Sequence, residues 1–322
     1  MRALVWRGAR RIGVETVPEP WPRDGEVLIR PEAAGICGSE IEGYLGRMSN
    51  RVPPLVMGHE FAGTVVGERR RVAVNPLLSC RACERCRAGE RNLCAERRLI
   101  GVHVPGGFAE LVAVPRTNLV ALPDGVDART GALVEPLANA VHAVGLARRL
   151  ATIETAVVLG AGTIGVFVLH AARAAGVADL RVVEPHPARR ESAIAAGARA
   201  AYGDAGALAA TREADAVFDA VGAAATRRAA IDVVRPGGAV VLIGLHEDET
   251  ALPFHRVVRD QLALQGSFAY TDAEFASALE LLARGEVRLD ALAAARPLEA
   301  GAEVFAALAS APPAELRTFL AP

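Results

Sequence analysis

The chain has 322 residues, of which 52% are hydrophobic, and its formal net charge is −1 at pH 7. This length is typical of two domains, and the apolar content is enough for each to bury a core. The near-zero charge argues against nucleic acid and anionic membranes as partners, and no apolar run is long enough to span a bilayer. The sequence contains no lysine, which excludes Schiff-base and P-loop chemistry.

The N-terminal part of the chain, to about residue 125, is expected to be β-rich. Short apolar runs recur, separated by turns that contain Gly and Pro, at 3–6, 27–30, 63–66, 71–74 and 108–114. This spacing predicts a small barrel or sandwich. The first residues lead directly into strand-like sequence and lack the apolar core of a signal peptide, so we expect a cytoplasmic protein.

Three separate segments carry side chains that can bind a metal ion. Cys37 lies in one, His59 and Glu60 lie in the next, and Glu135 lies in a third. A lone cysteine is most often a buried apolar residue. Together, however, a thiolate, an imidazole and carboxylates from different segments can form an open zinc site that leaves one coordination position for a substrate.

The most specific chemical pattern is C-x2-C-x2-C-x7-C, formed by Cys80, Cys83, Cys86 and Cys94. Four thiolates at this spacing are typical of a closed, tetrahedral structural zinc site, so we expect a zinc lobe over about 79–95. Disulfides are one alternative, but a cytosolic location and the short, even spacing favour a metal. An iron–sulfur cluster is another, but ferredoxins have C-x3-C-P at the fourth cysteine, which this sequence lacks.

From about residue 127 the character of the sequence changes. Ala-rich helical stretches alternate with short apolar runs such as 216–219 and 239–243. Alternation of this kind predicts a doubly wound parallel sheet. After residue 270 the alternation stops, and a tail with helices near 272–284 and 300–309 is expected to return to the first domain.

A nucleotide-binding turn is predicted near the middle of the chain. The apolar run 157–159 ends on a glycine that opens a G-x-G-x-x-G pattern, and a helix is expected over about 163–175. A strand, turn and helix of this kind bind a dinucleotide with its pyrophosphate at the helix N-terminus. The residues expected to contact the cofactor here are Gly160, Gly162, Thr163, Ile164 and Gly165.

The next apolar run, 180–183, ends at Glu184, where the pattern expects an acid that binds the ribose hydroxyls. A carboxylate there repels the 2′-phosphate of NADP, so NAD is the expected cofactor. Arg189 and Arg190 leave NADP open, because a basic pair beyond the acid can bind that phosphate; a solvated helix start is the other interpretation. Ile243, which ends the run 239–243, is a further candidate cofactor contact.

Taken together, these motifs resemble those of the zinc-dependent medium-chain alcohol dehydrogenases, in particular the branch of sorbitol, threonine and butanediol dehydrogenases. The resemblance covers nearly the whole chain and includes the segments 35–39, 58–60, 106–110, 135–138 and 235–238, besides the cysteine lobe and the glycine turn. It implies an α/β protein with a GroES-like catalytic domain, formed by 1–140 and 268–322, and a Rossmann domain that binds NAD, formed by 141–267.

The resemblance also implies roles for the candidate metal ligands. Cys37 and His59 correspond to ligands of the catalytic zinc. Glu60 and Glu135 correspond to carboxylates that bind the ion directly or through water. Simple alcohol dehydrogenases usually have a cysteine where Glu135 falls, so this glutamate points to the polyol-type branch.

Ser39 corresponds to the first proton acceptor of the family. Glu42 stands where a histidine often relays the proton, so the proton would pass from Ser39 to the cofactor ribose and then to water or Glu42. The implied reaction is reversible hydride transfer from a secondary alcohol of a polyol, sugar, cyclitol or amino alcohol to NAD. The two separate ligand sets predict two zinc ions per chain, and we expect a homodimer or homotetramer.

The sequence is also compatible with two other functions. The first is a family member with altered catalysis that acts as a binding protein, for which the unusual segment 40–42 is the only support. The second is a zinc-free reductase of the same superfamily. The cysteines argue against that second function.

Overall fold

The computed structural model describes residues 1–287, 294–311 and 316–322, and these form two compact units. Unit 1 comprises Met1–Glu135, Thr271–Arg284 and the described residues from 294 onward. Unit 2 comprises Pro136–Tyr270 together with 285–287. The domain boundaries predicted after residues 140 and 267 lie a few residues from these divisions and stay predictions.

The strands follow the predicted apolar runs, because β-branched and aromatic side chains fit a pleated surface. In chain order they are β1 (Arg2–Gly8), β2 (Arg11–Thr16), β3 (Glu26–Gly35), β4 (Leu55–Val56), β5 (Glu60–Val65), β6 (Arg71–Val74), β7 (Leu77–Leu78), β8 (Arg98–Leu99), β9 (Val112–Pro115), β10 (Leu119–Ala121), β11 (Thr155–Leu159), β12 (Asp179–Val183), β13 (Ala200–Tyr202), β14 (Ala214–Asp219), β15 (Val234–Leu242), β16 (Ala263–Gly266), β17 (Arg296–Pro297) and β18 (Phe319–Ala321).

Some of the helices begin where a side chain accepts a hydrogen bond from a free backbone N–H group. Helix α10 (Asp272–Ala283) is an example, since the Thr271 hydroxyl accepts a hydrogen bond from the Glu274 N–H and the Glu274 carboxylate accepts one from the Thr271 N–H. In chain order the helices are α1 (Gly38–Tyr44), α2 (Glu84–Arg87), α3 (Ala128–Ala132), α4 (Val134–Leu150), α5 (Thr163–Ala174), α6 (Pro187–Ala195), α7 (Gly206–Thr211), α8 (Ala224–Val233), α9 (Phe254–Arg259), α10 (Asp272–Ala283) and α11 (Gly301–Ser310).

Unit 2 contains a parallel sheet whose six described strands lie in the order β13-β12-β11-β14-β15-β16. The central strand β11 is apolar after its first residue, and Val157, Val158 and Leu159 are at most 1% exposed, as expected for a strand covered on both faces. This strand order is that of the dinucleotide-binding fold. It confirms the predicted doubly wound sheet and puts the ends of β11 and β14 at the point where such folds bind ligands.

Unit 1 is built on a sheet with the order β10-β6-β5-β3-β18-β17, in which β3 also pairs with β9. A smaller sheet, β2-β1-β4, packs with it around a common apolar core. Phe305 of α11 contacts Tyr44 and Phe108 edge to face, with ring centroids 5.6 and 5.9 Å apart. The tail of the chain therefore contributes both a strand and a helix to unit 1.

The strand predicted over 108–114 is present only in part. Strand β9 begins at Val112, whereas Phe108 lies in a bend and its N–H donates to the Met57 carbonyl. The bend is held against the segment before β5, because the Gly107 N–H also donates to the Gly58 carbonyl at 2.7 Å. Across the described residues, we find no helix with the length and apolar character needed to cross a membrane.

Candidate metal centres and nucleotide site

Strand pairing brings the first set of candidate ligands together. In the antiparallel pair of β3 and β5, Gly35 lies opposite Glu60. Cys37 follows the end of β3 and His59 precedes the start of β5, so both lie at the same edge of the sheet. One ligand atom from each of Cys37, His59 and Glu60 lies within 4.8 Å of the others.

Glu40 orients two of these ligands, and the sequence analysis did not assign it a role. Its Oε1 accepts hydrogen bonds from the N–H groups of Gly58 and His59 and lies 2.9 Å from His59 Nδ1, while Oε2 accepts from the Cys37 N–H at 2.8 Å. Burial raises the pKa of Glu40, but the charge and hydrogen bonds of His59 and the Cys37 N–H outweigh it and lower the pKa overall. The carboxylate therefore fixes His59 with Nε2 available to a metal.

Glu60 is paired on one side only. Arg317 donates to Glu60 Oε1 at 2.8 Å and to the Ile36 carbonyl at 2.7 Å. The other oxygen, Oε2, is buried and has no hydrogen-bond donor among the described residues. Burial raises the pKa of Glu60 well above its usual value, with Arg317 opposing the shift. A buried oxygen of this kind, beside a thiol and an imidazole, fits a cation such as zinc.

The thiol of Cys37 also suits a metal ligand. Burial raises its pKa, but the hydrogen bond and charge of His59 and then the charge of Arg317 outweigh burial and lower the pKa to about 6. The thiolate is the form that binds zinc. Sulfur, imidazole nitrogen and carboxylate oxygen together are a donor set typical of catalytic zinc sites, so these residues fit the ion.

Glu135 is the second residue of α4 and is buried, and its charge affects both Glu60 and Arg317. It does not belong to the group of three whose ligand atoms lie within 4.8 Å. The structure therefore brings Cys37, His59 and Glu60 together, and Glu135 lies close enough for its charge to act on Glu60 and Arg317. Its role as a ligand stays a prediction.

The two residues expected in the proton relay have different surroundings. The Ser39 hydroxyl accepts a hydrogen bond from Arg51 Nη2 at 3.1 Å. Glu42 lies on the same helix, α1, but pairs with Arg47 at 3.4 Å. Ser39 is thus contacted by Arg51, a residue that no sequence motif linked to the proton relay.

The four cysteines of the lobe form a second, separate group. The sulfurs of Cys80, Cys83, Cys86 and Cys94 lie within 4.8 Å of one another, and all four thiols are free. Cys80 Sγ is 3.9 Å from Cys86 Sγ and 3.6 Å from Cys94 Sγ. Zinc–sulfur bonds of about 2.3 Å place the sulfurs of a tetrahedral site roughly 3.8 Å apart, so the group fits a structural zinc ion.

Arg91 connects this lobe to the rest of unit 1. Its side chain is buried and donates to the Ser79 hydroxyl at 2.9 Å, to the Leu77 carbonyl at 2.6 Å and to Asp272 at the start of α10. Because a buried guanidinium needs this full set of acceptors, the lobe and α10 are held in one arrangement.

The glycine turn after β11 has the geometry of a phosphate-binding turn. Gly160 has φ +91°, which favours glycine, and a Cβ on Gly165 would lie 1.9 Å from the Gly160 carbonyl oxygen. Gly162 precedes α5, and no protein atom lies within 4 Å of where its Cβ would be. Thr163 and Ile164 form the first positions of α5. The turn therefore leaves room for a pyrophosphate at the helix N-terminus.

The acid predicted to bind the ribose lies beside this turn. Glu184 is buried, and its carboxylate accepts from the Ala161 N–H and the His186 N–H, both at 2.9 Å. Arg190 donates to the carbonyls of Glu184 and Pro185, whereas Arg189 is half-buried in α6. Glu184 therefore lies at the glycine turn, and the side chain of Arg190 is hydrogen-bonded to backbone carbonyls.

The end of the sheet carries one further residue that sequence analysis missed. Asp219, which ends β14, is fully buried, and its Oδ1 accepts from the N–H groups of Val221 and Gly222. Its backbone carbonyl accepts from the Ile243 N–H at 3.0 Å, so Ile243 follows β15 at the same edge. Asp219 supports the loop that follows β14. In the sequence, this role was indicated only by the position of an acid at the end of the apolar run 216–219.

Comparison with known proteins agrees with this geometry. The family model for the alcohol dehydrogenase GroES-like domain matches residues 23–124, and the model for zinc-binding dehydrogenases matches residues 163–284. The L-galactonate-5-dehydrogenase of Escherichia coli (strain K12) is 33% identical over 313 residues, covering 90% of this chain and 87% of that protein.

Two further similarities extend over comparable lengths. The sorbitol dehydrogenase of Bacillus subtilis (strain 168) is 30% identical over 311 residues, covering 89% of this chain and 87% of that protein. The structure of 2R,3R-butanediol dehydrogenase from Bacillus subtilis superposes with a TM-score of 0.89 at 28% identity, covering 100% of this chain and 99% of that one. The chain belongs to the zinc-dependent medium-chain alcohol dehydrogenases and is an NAD(P)-dependent alcohol or polyol dehydrogenase.

Proposed function

We propose that the protein reversibly oxidises a secondary alcohol of a polyol or sugar derivative, with NAD as the preferred cofactor. Cys37, His59 and Glu60 are the proposed ligands of the catalytic zinc, with Glu135 as the alternative carboxylate. Cys80, Cys83, Cys86 and Cys94 are the proposed ligands of the structural zinc. The observation that carries the proposal is the converging group of Cys37, His59 and Glu60, in which Glu60 Oε2 is buried and has no hydrogen-bond donor among the described residues.

The chain's own residues would hold and orient the reacting groups. When bound, zinc supplies a Lewis acid for the substrate hydroxyl and the nicotinamide supplies the hydride acceptor. Glu40 keeps the His59 ring in one orientation, and Arg317 balances the charge of Glu60. Ser39 offers a hydroxyl for proton transfer. Arg51 already donates to that oxygen, so the Ser39 O–H hydrogen is free to be donated.

The proposed preference for NAD rests on Glu184, whose buried carboxylate lies at the glycine turn. We expect Glu184→Gln to reduce the ratio of kcat/KM for NAD over NADP by about tenfold, because it removes the negative charge that repels a 2′-phosphate. Glutamine retains one acceptor oxygen, which can still serve the Ala161 N–H of the turn, whereas the His186 N–H loses its acceptor. Steady-state kinetics with both cofactors measure the ratio, and Glu191→Gln on the exposed face of α6 is the control. A parent enzyme that prefers NADP would contradict the assignment.

The activity is tested with a panel of alcohols. We expect NAD reduction with sugar acids such as L-galactonate and L-idonate or with polyols such as sorbitol and galactitol, at kcat/KM values at least about a hundredfold above simple primary alcohols. A zinc-loaded protein that binds NAD and reduces it with no member of a panel of polyols, sugar acids, cyclitols and amino alcohols would favour the binding-protein alternative.

Oligomeric state and location are proposed from separate features. Strand β16 lies at an edge of the described sheet, and α9, which precedes it, exposes Phe254 and Val258 by 61% and 73%. A sheet edge with no further described strand beside it, next to exposed apolar side chains, supports a homodimer or homotetramer, which light scattering would measure. The four-thiol centre requires reduced cysteines and supports a cytoplasmic location.

A further inference from the structure

Arg51 differs from the other buried arginines. Among the described residues, Arg51, Arg91 and Arg317 are at most 5% exposed. Arg91 pairs with Asp272, and Arg317 pairs with Glu60. The hydrogen bonds of Arg51 go to neutral acceptors instead: Nη2 to Ser39 Oγ at 3.1 Å, and Nη1 to Met48 Sδ at 3.0 Å and Asn50 Oδ1 at 3.4 Å.

The guanidinium of Arg51 has unmet hydrogen-bonding capacity. Its Nε is buried without an acceptor in the described part of the chain, as is the Nε of Arg317, but Arg51 also has no carboxylate in direct contact. Burial lowers the pKa of Arg51, and the negative charges of Glu40 and Cys37 oppose this shift, so the cation persists. Glu40 is not a direct partner, because its oxygens bind the backbone and ring of His59 and the backbone of Cys37. A buried cation without a directly bonded anion is unfavourable, because no adjacent opposite charge offsets the loss of its hydration.

The position of Arg51 is built into the fold. The arginine lies along α1, where Ser39 and Gly43 are one turn apart. A Cβ on Gly43 would come within 2.8 Å of Arg51 Cδ, so the glycine makes room for the side chain. The guanidinium is thereby held beside the Ser39 hydroxyl, which is proposed to exchange a proton with the reacting hydroxyl of the substrate.

We propose that Arg51 is a specificity-determining residue that binds a carboxylate of the substrate, so that the enzyme selects sugar acids over neutral polyols. This inference rests on the proposed alcohol dehydrogenase function. A guanidinium presents N–H groups in a planar fork that matches a carboxylate, and such charge-assisted bonds are among the strongest available to a ligand. The substrate would supply the anion that Arg91 and Arg317 receive from the protein.

The first test compares ligands on the unmodified enzyme. Calorimetry on the zinc-loaded protein saturated with NADH, which cannot oxidise an alcohol, measures binding of L-galactonate and L-idonate beside galactitol, sorbitol and galactitol 1-phosphate. We expect the two sugar acids to bind at least about tenfold more tightly than either polyol. Equal or tighter binding of the polyols would overturn the proposal, and so would a preference for the phosphate over both acids.

The second test uses variants of the arginine. Arg51→Gln should weaken binding of the sugar acids about ten- to a hundredfold and that of sorbitol by less than about threefold. Arg51→Lys, which keeps the charge and loses the fork, should give an intermediate loss for the acids. Arg116→Gln, at an exposed arginine that pairs with Glu68, should match the parent.

The decisive quantity is the ratio of the dissociation constants for the sugar acids and the polyols. Removing Arg51 also removes its hydrogen bond to Ser39, which would lower kcat for every substrate alike. Only a direct contact between Arg51 and the substrate carboxylate changes the preference for acids over polyols. Equal losses for acids and polyols would assign Arg51 a positioning role through Ser39 and overturn the proposal. A chain that binds sugar acids through Arg51 but never reduces NAD would contradict the proposed function alone.

Discussion

Cys37→Ser is expected to lower hydride transfer at least about a thousandfold, because weakening the site removes ~4 kcal/mol or more of Lewis-acid stabilisation. Serine is close in size to cysteine but is a poor zinc ligand at neutral pH. The zinc content of the purified protein should fall from two ions per chain to one. Metal analysis and the pre-steady-state rate of NADH formation measure both effects.

Cofactor binding provides the internal control for Cys37→Ser. The glycine turn and Glu184 lie in unit 2, whereas Cys37 lies in unit 1. Binding of NADH, followed by its fluorescence, should therefore match that of the parent. Near-parental alcohol oxidation by Cys37→Ser with only one zinc ion per chain would show that this thiolate does not hold a catalytic metal.

Cys83→Ser should show the opposite pattern, with a large loss of stability. Structural zinc sites contribute of order 10 kcal/mol to the folding of small zinc domains, so we expect the melting temperature to fall by about 10 °C or more. One zinc ion per chain should again be lost. Differential scanning calorimetry together with metal analysis measures the effect.

The two cysteine variants act as controls for each other. Cys37→Ser should keep most of the thermal stability and lose activity, whereas Cys83→Ser, assayed well below its lowered melting temperature, should retain activity. An absorbing iron–sulfur chromophore in the parent protein, or unchanged zinc content in Cys83→Ser, would contradict a zinc ion bound by four cysteines.

Local patterns made much of this molecule predictable. The spacing from Cys80 to Cys94 and the glycines from Gly160 to Gly165 are short-range signals, because a metal or a phosphate imposes a fixed spacing on neighbouring residues. The alternation of helices and apolar strands after residue 127 predicted the parallel sheet, because neighbouring parallel strands need a crossover connection, usually a helix. Glu40 was predictable too, since an acid three residues after Cys37 can reach back to its N–H.

The remaining features depend on contacts between distant residues. Nothing in the sequence near Glu60 signals that Arg317 pairs with it, and the same holds for Arg91 with Asp272. The contact of Arg51 with Ser39 depends on how the loop after α1 folds back over that helix. Side-chain pairings of this kind have no periodicity, so a single sequence contains no signal for them.

The pairing of Arg317 with Glu60 also has a temporal consequence. The two residues are 257 positions apart in the chain, and strand β18 joins the sheet beside β3 across a similar separation. At synthesis rates of about 5–20 residues per second, Glu60 leaves the ribosome roughly 10–50 seconds before its partner. During biosynthesis, Cys37, His59 and Glu60 can meet early, but the charge that balances them arrives only when nearly all of the described chain has been translated.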